Sequence, residues 1–193
     1  MTTIYTTKPL PARAEWDFYP TPESVCSAAL AAAIPTDFTP ARILDPGSGT
    51  GVWGNAARRR WPSAHIIGAE IRAIPQPDDY DEWIQGDFRL QDVPTVDLVM
   101  GNPPYKFAES FVRLGLQSLA PAGYLVYLLR LNFLEGKARA KGLYRHFPLL
   151  ACYVVGRVSY TGDNRSNATA YGLFVWQQGY SGETALRWMK QAA

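Results

Sequence analysis

The chain has 193 residues, 47% of them hydrophobic, enough for one well-buried core and too few for two ordinary domains, so a single domain spanning 1–193 is expected. No run approaches the roughly 18 uninterrupted apolar residues of a membrane span, and the start lacks a basic segment followed by a hydrophobic one, which points to a soluble, cytoplasmic protein. A formal net charge of +2 hides an asymmetry: residues 1–97 hold eight Lys/Arg against thirteen Asp/Glu, whereas residues 98–193 hold eleven against four, a balance that suits a polyanionic partner.

After a start rich in proline and threonine, Asp17-Phe18-Tyr19-Pro20-Thr21-Pro22 leads into a predicted helix over Pro22 to Ala33, with Thr21 as cap and Pro35 beyond its end. Ala41 to Asp45 reads as a short buried strand. It runs into Leu44-Asp45-Pro46-Gly47-Ser48-Gly49-Thr50-Gly51, whose glycines let the backbone turn tightly and approach a ligand that a Cβ would exclude. The Gly-x-Gly-x-Gly spacing differs from the Gly-x-Gly-x-x-Gly of dinucleotide enzymes, and taken alone it also fits a purely structural turn. A helix over Val52 to Arg60 follows, then strands at His65 to Glu70 and Trp83 to Gly86. Pro75 to Asp81 between them reads as a surface loop.

Asp45, Glu70 and Asp87 stand at or next to three successive strand tips. A carboxylate at the tip of the second strand can accept from both ribose hydroxyls of an adenosyl group. Asp45 is then expected to face the ammonium of an amino-acid moiety, and Asp87 to reach the adenine amine with Phe88 packing on the ring, although each carboxylate alone could also cap a helix.

A strand at Leu98 to Gly101 leads directly into Asn102-Pro103-Pro104-Tyr105, and is followed by a helix over Phe107 to Leu119 and a strand over Tyr124 to Leu129. The alternation predicts a mostly parallel sheet covered on both faces. A basic helix near Lys137 to Arg145 and two apolar runs, Leu150 to Gly156 and Tyr171 to Trp176, complete the sheet; the last two are expected to pair antiparallel at its edge. Lys137, Arg139, Lys141, Arg145, Arg157 and Arg165 suit a phosphate backbone or, equally, a solvated helix face. Cys26 and Cys152 read as two buried thiols rather than a disulfide, and no zinc set exists in the sequence.

The ordered segments Leu44 to Gly51, Glu70, Gly86-Asp87-Phe88 and Asn102 to Tyr105 resemble the motifs of amino methyltransferases that use S-adenosylmethionine. Asp17 to Pro22 resembles the additional N-terminal motif of the adenine-specific DNA methyltransferases. Leu128 to Gly136, Arg157 to Gly162 and Asn167 to Trp176 resemble the small DNA methyltransferases of bacteriophages and prophages. The resemblance implies a Rossmann-like class I methyltransferase fold, α/β, with a mostly parallel seven-stranded sheet, helices on both faces and an antiparallel edge hairpin. It implies S-adenosylmethionine as cofactor, held by Tyr19, Thr21, Pro22, Asp45, Pro46, Gly47, Gly49, Gly51, Glu70, Asp87, Phe88 and Asn102. Sequence-specific enzymes of this class usually carry a separate target-recognition domain, and the stretch from Tyr105 to Ala193 has little room for one, so short or weak specificity is expected.

The composition of the segment 102–105 has a chemical reason. The exocyclic amine of adenine is a poor nucleophile because its lone pair is conjugated into the ring. If the Asn102 side-chain oxygen and the Pro103 carbonyl accept its two hydrogens, the nitrogen moves towards tetrahedral geometry and its lone pair turns to the methyl group. Pro104 stiffens the loop, and Tyr105 offers a ring for the target base to stack upon. Cytosine-5 methylation needs a cysteine nucleophile, and neither cysteine lies in a suitable loop. A base in a duplex must be flipped out to reach such a pocket, unless the DNA is single-stranded. The resemblance implies Tyr160, with Arg157 and Thr161 near it, as the second wall of the target pocket; read from the residues alone it is equally an exposed tyrosine at a hairpin start. Lys137, Arg139, Lys141 and Arg157 are the expected DNA contacts, which position without encoding sequence. RNA adenine and protein glutamine remain alternative acceptors, a binding protein that has lost its catalytic role is a third possibility, and a homodimer is left open.

Overall fold

The computed structural model describes residues 20–156 and 169–189. One eight-stranded sheet organises them: β1 (Arg42–Pro46), β2 (His65–Glu70), β3 (Glu82–Gln85), β4 (Val96–Gly101), β5 (Leu119–Arg130), β6 (Ala151–Gly156), β7 (Tyr171–Gln177) and β8 (Ala185–Trp188). Their order across the sheet is β3-β2-β1-β4-β5-β7-β6-β8. Strands β1 to β5 pair in parallel, β7 runs antiparallel to both β5 and β6, and β8 lies parallel to β6. The expected antiparallel pair is present, but the sheet has eight strands where seven were expected, and the edge belongs to β8. Its burial runs from half-buried Ala185 through exposed Leu186, Arg187 and Trp188, so it carries no apolar alternation to betray it in the sequence.

Helices α1 (Glu23–Ala33) and α2 (Val52–Arg60) cover one face; α3 (Ala108–Gln117) and the short α5 (Leu143–His146), which follows α4 (Lys137–Lys141), cover the other. The strands supply both cores because successive side chains point to opposite faces. Ile43, Ile66, Leu98 and Val126 pack with α1 and α2, while their neighbours Leu44, Ile67, Val99 and Leu125 pack with α3. Burial on both sides explains why these strands read as continuous apolar runs, and at about 1.5–3 kcal/mol per buried aliphatic side chain they dominate the stability of the sheet. Cys26 and Cys152 are free, buried, and divided between the two cores, so the sheet separates them.

Several boundaries move. The helix expected from Pro22 begins at Glu23, with Pro22 rather than Thr21 at the cap position, where its ring offers no capping atom, and the Thr21 hydroxyl accepts from Asn102 instead. The expected basic helix is broken at Gly142 into α4 and α5. No helix among the described residues is long and apolar enough to cross a membrane.

Strand order reverses between β1 and β4: the chain moves outward through β2 and β3, then returns to the other side of β1. In open parallel sheets a crevice forms at such a point, outside the carboxyl ends of the strands.

Candidate active site

The carboxyl ends of β1 to β4 open into a cavity of about 470 Å3, within the roughly 300–1,000 Å3 of small-molecule sites. Gly47 to Thr50, Glu70 to Arg72, Gly86 to Arg89, and Asn102, Pro104 and Lys106 line it in strand order, with Phe107 and Phe111 behind and Pro20 and Thr21 across.

The glycine loop has left-handed backbone at Gly47, Gly49 and Gly51, with φ of 73°, 60° and 88°, a region L side chains rarely adopt. It is tied to β2: the Gly47 and Ser48 amides donate to the Ala69 carbonyl at 2.7 and 3.1 Å, and the Gly49 amide donates to Glu70 Oε2 at 2.8 Å. A Cβ on Gly47 would stand 3.6 Å from both Pro104 and Phe111, two residues of the cavity wall, so its absence leaves room for a ligand.

Beneath the loop lies Tyr80, only 3% exposed, although its segment reads as a surface loop in the sequence. Its ring occupies the space of two missing side chains: a Cβ on Gly54 or Gly68 would come within 2.3 or 2.8 Å of it. The hydroxyl donates to Asp45 Oδ2 at 2.6 Å and accepts from the Gly54 amide at 3.1 Å. Asp45 is fully buried, and its Oδ1 has no hydrogen-bond partner among the described residues. Burial pushes its pKa from 3.8 to about 7, with the charge of Glu70 adding to the rise and the bond from Tyr80 opposing it. Asp45 was expected to face an ammonium group; the structure seals it under the loop, away from the cavity wall.

Glu70 and Asp87 do line the cavity, each already held by the arginine two residues on. Glu70 Oε1 accepts from the Arg72 backbone and Nε at 3.0 and 2.8 Å. Asp87 Oδ1 accepts likewise from Arg89 at 3.0 and 2.9 Å, and this pairing holds its pKa below the usual carboxylate value. The Arg89 guanidinium also lies 3.8 Å from the centre of the Phe107 ring. Phe88 is 3% exposed at the cavity wall, its ring 5.1 Å from that of Phe111.

At the exit of β4, Asn102 Nδ2 donates to Thr21 Oγ1 at 3.1 Å. With the amide nitrogen so directed, the Asn102 side-chain oxygen points away from Thr21 as the acceptor of the pair. Pro103 is buried outside the cavity wall. Tyr105 belongs to a second cavity of about 240 Å3, bounded also by Lys106, Arg130, Phe133 and Arg139. The Arg130 guanidinium sits 4.7 Å from the centre of the Tyr105 ring.

The structure thus gathers Thr21, Gly47, Gly49, Glu70, Asp87, Phe88, Asn102 and Pro104 around one cavity, and leaves Pro22, Asp45, Pro46, Gly51 and Pro103 behind it. Lys137 and Lys141 are exposed on α4. Arg139 turns inward instead, donating to the Phe133 carbonyl at 2.7 Å. Tyr19, Arg157 and Tyr160 lie outside the described residues. Arg72, Arg89 and Tyr80 were not anticipated; the Glu-x-Arg and Asp-x-Arg spacings at 70–72 and 87–89 are the signals that point to the two arginines. Among the described residues no group of three His, Cys, Asp or Glu side chains could hold a metal ion.

The architecture matches solved structures across most of the chain. A putative RNA methyltransferase from Pyrococcus horikoshii superposes with a TM-score of 0.69 at 15% identity, covering 90% of this chain and 94% of that one. A putative class I S-adenosylmethionine-dependent methyltransferase from Listeria monocytogenes gives 0.66 at 14% identity, covering 88% and 65%. The fold is that of the class I methyltransferases. The M protein of the type I restriction enzyme EcoKI also superposes, with a TM-score of 0.66 at 16% identity over 86% of this chain and 44% of that one. In sequence, a type II methyltransferase, M.CvrRI, of Paramecium bursaria Chlorella virus XZ-6E is 36% identical over 74 residues, which span 36% of this chain and 20% of the viral protein. No family model matches the sequence.

Proposed function

We propose that this protein transfers a methyl group from S-adenosylmethionine to the exocyclic N6 amine of adenine in DNA. The observation that carries the reading is the Asn102 amide, oriented by Thr21 at the rim of a cavity whose other walls are a glycine loop and two carboxylates. The phage-type segments and the similarity to a viral type II methyltransferase support a DNA acceptor.

The residues present fit the cofactor. The cavity is large enough, Gly47 leaves space that a Cβ would fill, and Glu70 and Asp87 face it with acceptors of the kind that hydroxyl and amine groups require. Thr21, with Gly47 and Gly49, would hold the amino-acid end, Glu70 the ribose diol, and Asp87 with Phe88 the adenine. The bound cofactor supplies an electrophilic methyl group on a sulfonium centre. Asn102 Oδ1 and the Pro103 carbonyl would accept the two hydrogens of the target amine, so that its lone pair is freed from the base and aligned with the methyl group. Tyr105 would stack against the extruded base, with Tyr160 as the proposed opposite wall and Lys137, Lys141 and Arg157 on flanking phosphates.

Incubation with labelled cofactor and separate DNA, RNA and protein pools tests the assignment. Label in DNA as N6-methyladenine is expected, and Asn102→Ala is expected to abolish it while cofactor affinity changes less than about threefold. Label confined to RNA or to protein glutamine would overturn the choice of acceptor.

A further inference from the structure

The second cavity holds an imbalance between donors and acceptors that the methyl-transfer reading leaves unused. Arg139 has its donors engaged: Nε bonds the Phe133 carbonyl at 2.7 Å, Nη2 reaches the Asn132 carbonyl at 3.4 Å, and its guanidinium lies 4.4 Å from the centre of the Phe133 ring, 4.0 Å from Glu109. It is a wall. Arg130 differs, because its Nε is buried and has no hydrogen-bond partner among the described residues while the guanidinium rests over Tyr105. A buried donor without an acceptor costs about as much as a cation over an aromatic ring contributes, so the present position is nearly balanced against leaving.

Two further observations set the direction. The Tyr105 ring neighbours the ring of Tyr171, 5.8 Å between centres, and Tyr171 is 1% exposed within the core, so it cannot give way. Arg130 is half-buried at the end of β5, at the cavity, and can. A base stacked on the face that Arg130 covers would need the space the guanidinium now fills. The group that draws Arg130 away must be an acceptor, and beside Lys106 and Arg139 it is best an anion.

We infer that the second cavity is a phosphodiester subsite: Arg130 covers Tyr105 when the site is empty and moves to a phosphate oxygen of the DNA strand when the target base takes the ring. This rests on the DNA reading above. It makes Arg130 a substrate-binding side chain whose movement couples phosphate capture to base stacking.

The test compares the parent with Arg130→Gln and Arg130→Lys, using a duplex that carries 2-aminopurine at the adenine the parent methylates. Loss of one phosphate contact should lower the slope of log affinity against log salt by about 0.9 in Arg130→Gln and reduce the fluorescence gain on flipping; Arg130→Lys should restore the slope. Unchanged cofactor affinity in both variants reports an intact fold. If the parent methylates DNA and Arg130→Gln keeps the full slope, this inference fails and the methyl-transfer reading stands. If the parent does not methylate DNA, the reading itself fails and this inference with it. Saturable micromolar binding of inorganic phosphate alone, lost in Arg130→Gln, would assign the cavity to a free anion and overturn the DNA assignment.

Discussion

Replacing Asp45 by asparagine should remove a pH dependence built into the floor of the glycine loop. In the unfolded chain this carboxyl releases its proton near 3.8, whereas in the fold it holds it to about 7. Between those values the folded state binds more protons than the unfolded one, so stability falls as pH rises, and the loss is complete above about pH 7. The difference amounts to on the order of 4 kcal/mol, at about 1.4 kcal/mol per pKa unit. Roughly 3 kcal/mol of it falls between pH 5 and pH 8.5, a large fraction of the roughly 5–15 kcal/mol that holds a domain together. Of the groups that interact with Asp45, burial pushes Cys26, Tyr80 and Tyr127 well above their ordinary values, so they stay neutral throughout this window, while the charge of Glu70 adds to the rise. Asparagine keeps an oxygen for the Tyr80 hydroxyl and carries no charge. Urea denaturation across pH 5 to 8.5 should show the parent losing stability and Asp45→Asn staying nearly level. Parallel curves would refute the assignment. A large loss of cofactor affinity in Asp45→Asn at pH 5, with stability intact, would return Asp45 to the ammonium role expected from its position in the motif.

Gly54→Ala places a methyl group 2.3 Å from the Tyr80 ring and should destabilise by about 1–3 kcal/mol in thermal unfolding, since the ring cannot shift without losing Asp45. Thr21→Val removes the acceptor that orients Asn102 and a hydroxyl of the cofactor cavity; kcat should fall about tenfold and the donor's KM should rise with it, and an unchanged kcat would show that the amide needs no such partner. Glu70→Ala should weaken cofactor binding by at least tenfold in calorimetry, and equal affinity would rule out the ribose contact. Lys137→Ala with Lys141→Ala should lower the salt slope of DNA binding, whereas Arg139→Ala should instead lower thermal stability, because its guanidinium is spent on the Phe133 carbonyl.

Most of the sheet was legible because its strands are buried on both faces and read as apolar runs bounded by glycine and proline. The ends of helix α2 and strand β2 fall where their apolar patterns place them. Strand β5 starts five residues earlier than its apolar run, since Pro121 and Gly123 hide a first segment that pairs with β4 across a register shift. Around the cavity, the glycine loop and Glu70 were placed correctly at its wall because both sit at the ends of strands whose apolar runs are easily read. Tyr80 was not, because a proline-and-acid-rich segment gives no sign that one of its side chains turns inward. The role of Thr21 was misread for a related reason: a threonine before a helix suits a cap equally well, and only the approach of Asn102 from 81 positions away decides between them.

The pairing of Glu70 with Arg72 and of Asp87 with Arg89 has a thermodynamic consequence. Both carboxylates already accept hydrogen bonds from their arginines, so a ligand that engages them exchanges one set of polar contacts for another. Little heat is released at these contacts, and the driving force shifts to the apolar floor formed by Phe88, Phe107 and Phe111. Cofactor binding should therefore show a clearly negative heat-capacity change, the mark of a site that selects with its acids and binds with its aromatic rings.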